Sequence, residues 1–322
     1  MRKLYDIIFK RKAELFMKQV GYLLLLFLVI DIAVAYYFYR VAFRRSKKEF
    51  LKNSKDLTAI FATPFIDHRP WLTTKVQRDF EITSDDGLKL FAKHIQASEN
   101  SKKLTILVHG YSSKGMDMLG IANYYVETLD THVLLPDLRA HGRSEGNTIG
   151  FGYPDKKDIL DWIRLMISEY GNDIEITLHG ISMGAATVLL CAGQPLPIHV
   201  KRVISDCSYS NVKDQLSFQM KRMYHLPAFP ILTSVDLLLR VFNGYGLKDI
   251  DVVKSVSSIR IPVLFIHGTA DTFVPYRMMS ELKNACKSEY RTFTVEGAGH
   301  GMCYRKNTFG YQKAVADFIV MN

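Results

Sequence analysis

The 322-residue sequence predicts an α/β fold. A mostly parallel central sheet carries helices on both faces and a small helical insertion, and one transmembrane helix precedes it. Three observations point there. Short apolar runs alternate with helical stretches from residue 104 onward, which is the rhythm of parallel strands joined by crossover helices. The stretch 209–258 breaks that rhythm, as an insertion into such a sheet would. Near the N-terminus, an apolar stretch of about 20 residues is long enough at 1.5 Å rise to cross a bilayer core of about 30 Å.

In chain order, Arg78 to Thr83 and Leu88 to Gln96 read as two strands, joined at Ser84-Asp85-Asp86-Gly87 in a hairpin signal. Further strands lie near Leu104–Val108, His132–Leu135, Ile174–Leu178, Arg202–Asp206, Val263–Ile266 and Tyr290–Val295. Helices fall near Met116–Leu129, Pro154–Tyr170, Met183–Ala192, Tyr276–Ala285 and Gly310–Met321. The stretch 209–258 breaks the rhythm and reads as a cap inserted after the sixth strand. Gln215 to Tyr224 and Leu232 to Phe242 are its helices, and Asn243-Gly244-Tyr245-Gly246 is a turn. Its Met, Phe and Tyr side chains suit either an apolar acyl pocket or the packing of cap on core. Domain borders follow: a basic segment at 1–19, the span at 20–39, a juxtamembrane stalk at 40–75 and the catalytic domain at 76–322.

The net charge of +10 is unevenly placed. Residues 1–60 hold thirteen Lys/Arg against five Asp/Glu, so +8 of it sits around the span. The catalytic part is close to neutral, which excludes a nucleic-acid footprint. Tyr36, Tyr37, Phe38 and Tyr39 end the span as an aromatic belt would. Asp31 interrupts it at a cost of roughly 2.5–3.5 kcal/mol if central, which the surrounding Leu, Ile, Val and Phe outweigh. Ala33-Val34-Ala35 resembles a signal-peptidase site, but the apolar run is long and bulky tyrosines follow it, so an uncleaved anchor is the expectation. Lysines and arginines flank both ends, so the positive-inside count does not choose a side. The cysteines Cys191, Cys207, Cys286 and Cys303 show neither metal spacing nor a C-x-x-C pair.

The chemistry-bearing motif is Gly180-Ile181-Ser182-Met183-Gly184, set between the strand Ile174–Leu178 and an apolar helix. A strand-to-helix turn that sharp needs small residues on either side of the serine. It lifts the Ser182 hydroxyl above a helix N-terminus, where free N–H groups favour an oxyanion. Serine needs a base, and the base an orienting acid. His300, in the loop Glu296-Gly297-Ala298-Gly299-His300-Gly301, is the candidate base. Asp271, after the strand Val263–Ile266 and before Pro275, is the favoured acid. N-capping is the other role open to it, and Asp206 is the rival carboxylate. The oxyanion donors are the Met183 N–H and the backbone of Tyr111, in the loop after Leu104–Val108. His109 reads as structural, since one base suffices.

His109-Gly110-Tyr111, Asp137 to Ser144, Gly180 to Gly184, Ser205-Asp206-Cys207, His267 to Asp271 and Gly299-His300 occur in that order. On them the chain resembles the α/β-hydrolase superfamily, within it the membrane-anchored bacterial esterase, lipase or prolyl-oligopeptidase-like group. The resemblance covers roughly residues 80 to 320. It implies Ser182, Asp271 and His300 as a catalytic triad, the α/β-hydrolase fold, and a structural role for the 137–144 loop beside the site. Substrate is left open, because this fold hosts many chemistries. The expected activity is hydrolysis of a small-molecule or lipid-like carboxylic ester through an acyl-enzyme. A peptidase, a thioesterase or a non-catalytic anchored binding module are the alternatives. No metal or organic cofactor is implied. The resemblance and the N-terminal anchor favour a single-pass protein of the cell membrane with its catalytic domain outside.

Overall fold

The computed structural model describes residues 2–46, 48 and 66–321. The chain opens with helix α1, Arg2–Phe43. It is longer at both ends than the span read at 20–39, and it contains one stretch long and apolar enough to cross a membrane. Half of the stalk expected at 40–75 lies outside the described residues. A one-turn helix α2, Arg69–Leu72, follows, with Pro70 in its first turn, where a missing N–H costs nothing.

Strands β1 (Gln77–Thr83) and β2 (Lys89–Ile95) form the expected hairpin. Then come β3 (Lys103–Val108), α3 (Leu119–Glu127), β4 (His132–Pro136) and α4 (Asp155–Tyr170), which Gly171 ends at φ +83°. Next are β5 (Glu175–Ile181), α5 (Met183–Ala192) and β6 (Val200–Asp206). The cap holds α6 (Val212–Gln219), a π turn (Met220–Tyr224), α7 (Ile231–Asn243) and α8 (Val252–Val256). The chain closes with β7 (Val263–Gly268), α9 (Arg277–Ala285), β8 (Tyr290–Val295), α10 (Cys303–Lys306) and α11 (Thr308–Met321). The eight strands lie in the order β1-β2-β4-β3-β5-β6-β7-β8. The β1–β2 and β2–β4 pairs are antiparallel and the remaining pairs parallel.

Two apolar cores flank the sheet. One lies under α3 and α11, the other under α4, α5 and the cap. Every residue of α5 is buried, which explains a helix apolar all round. The last turns of α1 join the second core. Ala35, Phe38, Tyr39 and Phe43 are buried there, and Phe43 is wholly inaccessible. Together with Asp31 they fall at helical spacing on one face, and that face packs along α7. The junction is tied by polar contacts as well. Ser234 of α7 hydrogen-bonds the Asp31 carboxylate, and the Tyr39 hydroxyl donates to Asn243 (3.0 Å). The carboxylate that interrupts the apolar stretch thus has a partner within the protein.

Candidate active site

The parallel strands β5 to β8 are neighbours, so the loops leaving their C-terminal ends share one edge, where open α/β sheets build their sites. Ser182 follows β5, Asp206 ends β6, Asp271 follows β7 and His300 follows β8. Between strand and helix, Ser182 takes φ +56° and ψ −118°, a left-handed region that L-residues avoid. The turn closes only because its neighbours are glycines: a Cβ on Gly180 would strike the Gly184 carbonyl, and one on Gly184 the Val108 carbonyl.

His300 stands 2.8 Å from Ser182 Oγ through Nε2, and 2.8 Å from Asp271 Oδ2 through Nδ1. A carboxylate only accepts, so Nδ1 carries the proton and Nε2 is left to accept from the serine hydroxyl. Asp271 is buried and held from several sides. Its Oδ1 accepts from the Phe273 (3.0 Å) and Val274 (2.8 Å) amides, and His267 Nε2 lies 3.2 Å from Oδ2. Burial alone would raise its pKa, but the charges and hydrogen bonds of His300 and His267 outweigh that and hold it well below the usual carboxylate range. Asp271 therefore shapes its turn as a cap would and also grips the imidazole. Asp206 is differently engaged. Its backbone carbonyl accepts from the Ser182 amide (2.8 Å), and its carboxylate accepts from the Tyr311 hydroxyl (3.1 Å). Burial pushes its pKa up to about 6.

The Tyr111 and Met183 amides donate to no backbone carbonyl among the described residues. Gly110 lies against the serine, its ideal Cβ position 3.3 Å from Ser182 Cβ, which brings the Tyr111 loop beside Ser182. His109 is fully buried, with Nε2 accepting from Leu138 N (3.0 Å) and Nδ1 bonded to Gly110 O (2.7 Å); it pins the Tyr111 loop to the 137–144 loop. Within that second loop, Asp137 accepts from the Gly115 (2.7 Å) and Arg143 (2.8 Å) amides.

Cys207, Asp271 and His300 form the one trio with metal-ligand spacing among the described residues. Asp271 and His300 are already bonded to each other, and burial with the nearby Asp206 and Asp271 charges pushes the Cys207 thiol well above its ordinary range. The donor set does not fit a metal that needs thiolate.

An apolar pocket of about 720 Å³, counting its open mouth, adjoins Ser182 and Met183. The cap supplies Leu216, Met220, Met223 and Tyr224, and α1 supplies Phe38, Val41 and Ala42. Sequence alone does not place α1 here. The signal is its buried periodicity at 31, 35, 38–39 and 43, hidden inside a run apolar on every side. Tyr111 reinforces the contact, its hydroxyl donating to the Ala42 carbonyl (2.8 Å).

A strained serine above a helix N-terminus, at the carboxyl edge of a mostly parallel eight-stranded sheet, defines the class: a hydrolase with the α/β-hydrolase fold. Residues 105–307 match the family described as alpha/beta hydrolase, and the chain belongs to that family. It is similar to the protein YqkD of Bacillus subtilis (strain 168), 29% identical over 240 residues, which cover 74% of this chain and 78% of that one. Among solved structures, the Pyrococcus furiosus esterase Pf2001 superposes with a TM-score of 0.65 at 21% identity, covering 80% of this chain and 96% of the esterase. The Pyrococcus horikoshii acylaminoacyl peptidase superposes with a TM-score of 0.58 at 18% identity, covering 80% of this chain but 43% of the peptidase.

Proposed function

We propose that this chain is a membrane-anchored serine hydrolase that cleaves carboxylic esters through an acyl-enzyme. The observation that carries the reading is the continuous Ser182–His300–Asp271 hydrogen-bond chain. Ser182 Oγ attacks the ester carbonyl carbon as its proton passes to His300 Nε2. Asp271 holds the imidazole in the required tautomer and offsets the imidazolium charge. The Tyr111 and Met183 N–H groups take the oxyanion. The carbon–oxygen bond to the alcohol breaks as His300 returns the proton to it. Water, deprotonated by the same base, then releases the acid and restores Ser182. An ester is favoured over an amide by the pocket beside Ser182, which is apolar and offers few groups to orient a peptide backbone.

The test is labelling by a fluorophosphonate probe together with hydrolysis of p-nitrophenyl esters. The wild-type protein should do both and Ser182→Ala neither. Labelling combined with cleavage of amides or thioesters but not esters would move the chain to the peptidase or thioesterase reading. Absence of labelling in a folded protein would leave a non-catalytic module. The proposed location is the cell membrane, with α1 as a single span and the catalytic domain outside. In intact cells, added protease should then digest the domain while cytosolic markers survive.

A further inference from the structure

The pocket beside Ser182 has an unusual wall. Phe38, Val41 and Ala42 belong to the helix that carries the apolar span, and they face Met220, Met223 and Tyr224 of the cap. A molecule seated there therefore lies against the anchor itself.

The depth of that wall follows from how α1 and α7 run together. Ser234 meets Asp31 at one end and Asn243 meets Tyr39 at the other, so the two helices are side by side and point the same way. The shared stretch, Asp31 to Tyr39, is about 12 Å long at 1.5 Å per residue. It is also the final part of the uncharged run from Gln19 to Tyr39, broken only by Asp31 itself, that must cross a hydrocarbon core of about 30 Å. With α1 spanning a bilayer, α7 lies in its outer part. Its composition agrees. Leu237, Val241 and Phe242 point outward at 61%, 68% and 57% exposure, and Phe229, just before the helix, is 76% exposed. In water this is a large unpartnered apolar patch; against lipid it is the ordinary surface of a membrane protein. The charged residues of α7, Asp236 and Arg240, pair with each other (3.2 Å), and Arg240 sits toward the end level with the Tyr36–Tyr39 belt. Ser182 then lies close to the interfacial layer, where the ester carbonyls of membrane lipids sit with their acyl chains pointing inward.

We propose that the pocket is an acyl-chain site fed from the bilayer. A long-chain ester of a membrane lipid passes laterally beside the last turns of α1, its chain packs between α1 and the cap, and its carbonyl meets Ser182. This rests on the esterase reading above. Chemically the step is unchanged: ester and water give a fatty acid and an alcohol, with every proton handled by His300.

The experiment reconstitutes the full chain in phosphatidylethanolamine/phosphatidylglycerol vesicles. Two probes are compared, p-nitrophenyl palmitate embedded in the bilayer and p-nitrophenyl butyrate in the water. The wild-type protein should favour palmitate at least tenfold in kcat/KM, and only when palmitate and enzyme share the same vesicles. Val41→Trp and Met223→Trp fill the pocket from opposite walls, and each should lower the palmitate-to-butyrate ratio at least tenfold. Fluorophosphonate labelling of each variant confirms that its site has assembled, and two independent walls guard against one variant misfolding. Butyrate turnover with no chain-length preference, or a ratio unmoved by both substitutions, overturns the acyl-site inference and leaves the esterase reading intact. Equal palmitate turnover from separate vesicles overturns bilayer access. Failure to hydrolyse any ester overturns the esterase reading and this inference with it.

Discussion

Ser182 stores strain where the chemistry is proposed. Its φ of +56° costs an L-residue on the order of 1–3 kcal/mol, which glycine avoids. Ser182→Gly should therefore raise the melting temperature by a few degrees while abolishing ester hydrolysis. An unchanged or lowered melting temperature would show that the elbow is not strained. The two carboxylates beside it should separate cleanly. Asp271→Asn disturbs the imidazole's tautomer and should lower kcat about 10³- to 10⁴-fold, in line with the effect of the same change in serine proteases. Asp206→Asn keeps an acceptor for Tyr311 and should cost about tenfold or less. The reverse ranking in a pH-matched assay would reassign the acid. Much of this site was legible in the sequence, because each residue sits in a local motif: glycines about Ser182, a strand-turn-Pro about Asp271, a glycine-rich loop about His300. Local pattern favoured Asp271 over Asp206 but left both at the C-terminal edge of neighbouring strands. The decision lies in long-range contacts, with Tyr311 engaging Asp206 from 105 residues away and His300 lying within reach of Asp271.

Among the elements, the sheet was the readable part and α1 the unreadable one. Buried parallel strands such as β3, β4 and β7 announce themselves as apolar runs, and all eight strands overlap the stretches read for them. A helix apolar on every side carries no such periodicity, so its docked face at Asp31, Ala35, Phe38, Tyr39 and Phe43 was invisible beside its exposed one. That face makes a domain border at residue 39 or 40 mechanically awkward. In detergent, deleting residues 1–30 should leave melting temperature and p-nitrophenyl butyrate turnover near wild type. Deleting residues 1–46 removes one wall of the pocket and a buried aromatic cluster, and should lower both sharply. Phe43→Ala isolates the packing share: a fully buried phenylalanine truncated to alanine costs about 3–5 kcal/mol. Chemical denaturation would measure that loss, and a cost below about 1 kcal/mol would mean that the helix merely rests on the domain.

At the scale of the whole molecule, buried histidines and buried aspartates oppose each other across the acid range. Burial lowers the pKa of His94 and His109 to about 4 and of His141 and His179 to about 3. The folded state then binds fewer protons than the unfolded chain below the ordinary imidazole value of about 6.5, so these groups stabilise more as pH rises. Asp155 and Asp206 act the other way: burial raises them to about 7 and about 6, so their contribution falls as pH rises from about 4. Four such histidines outnumber the two aspartates, so the melting temperature should drop between pH 7 and pH 4. Asp155→Asn removes part of the opposition and should steepen that drop; a shallower one would reverse the sign assigned to Asp155. One further consequence follows from the pocket wall that α1 provides. Phe38 is made well before His300, so on the proposed reading a growing polypeptide threaded into the membrane would hold its acyl groove half-built and its nucleophile without a base. Biosynthesis would thereby be insulated from premature attack on the surrounding lipid until the strand before His300 has folded.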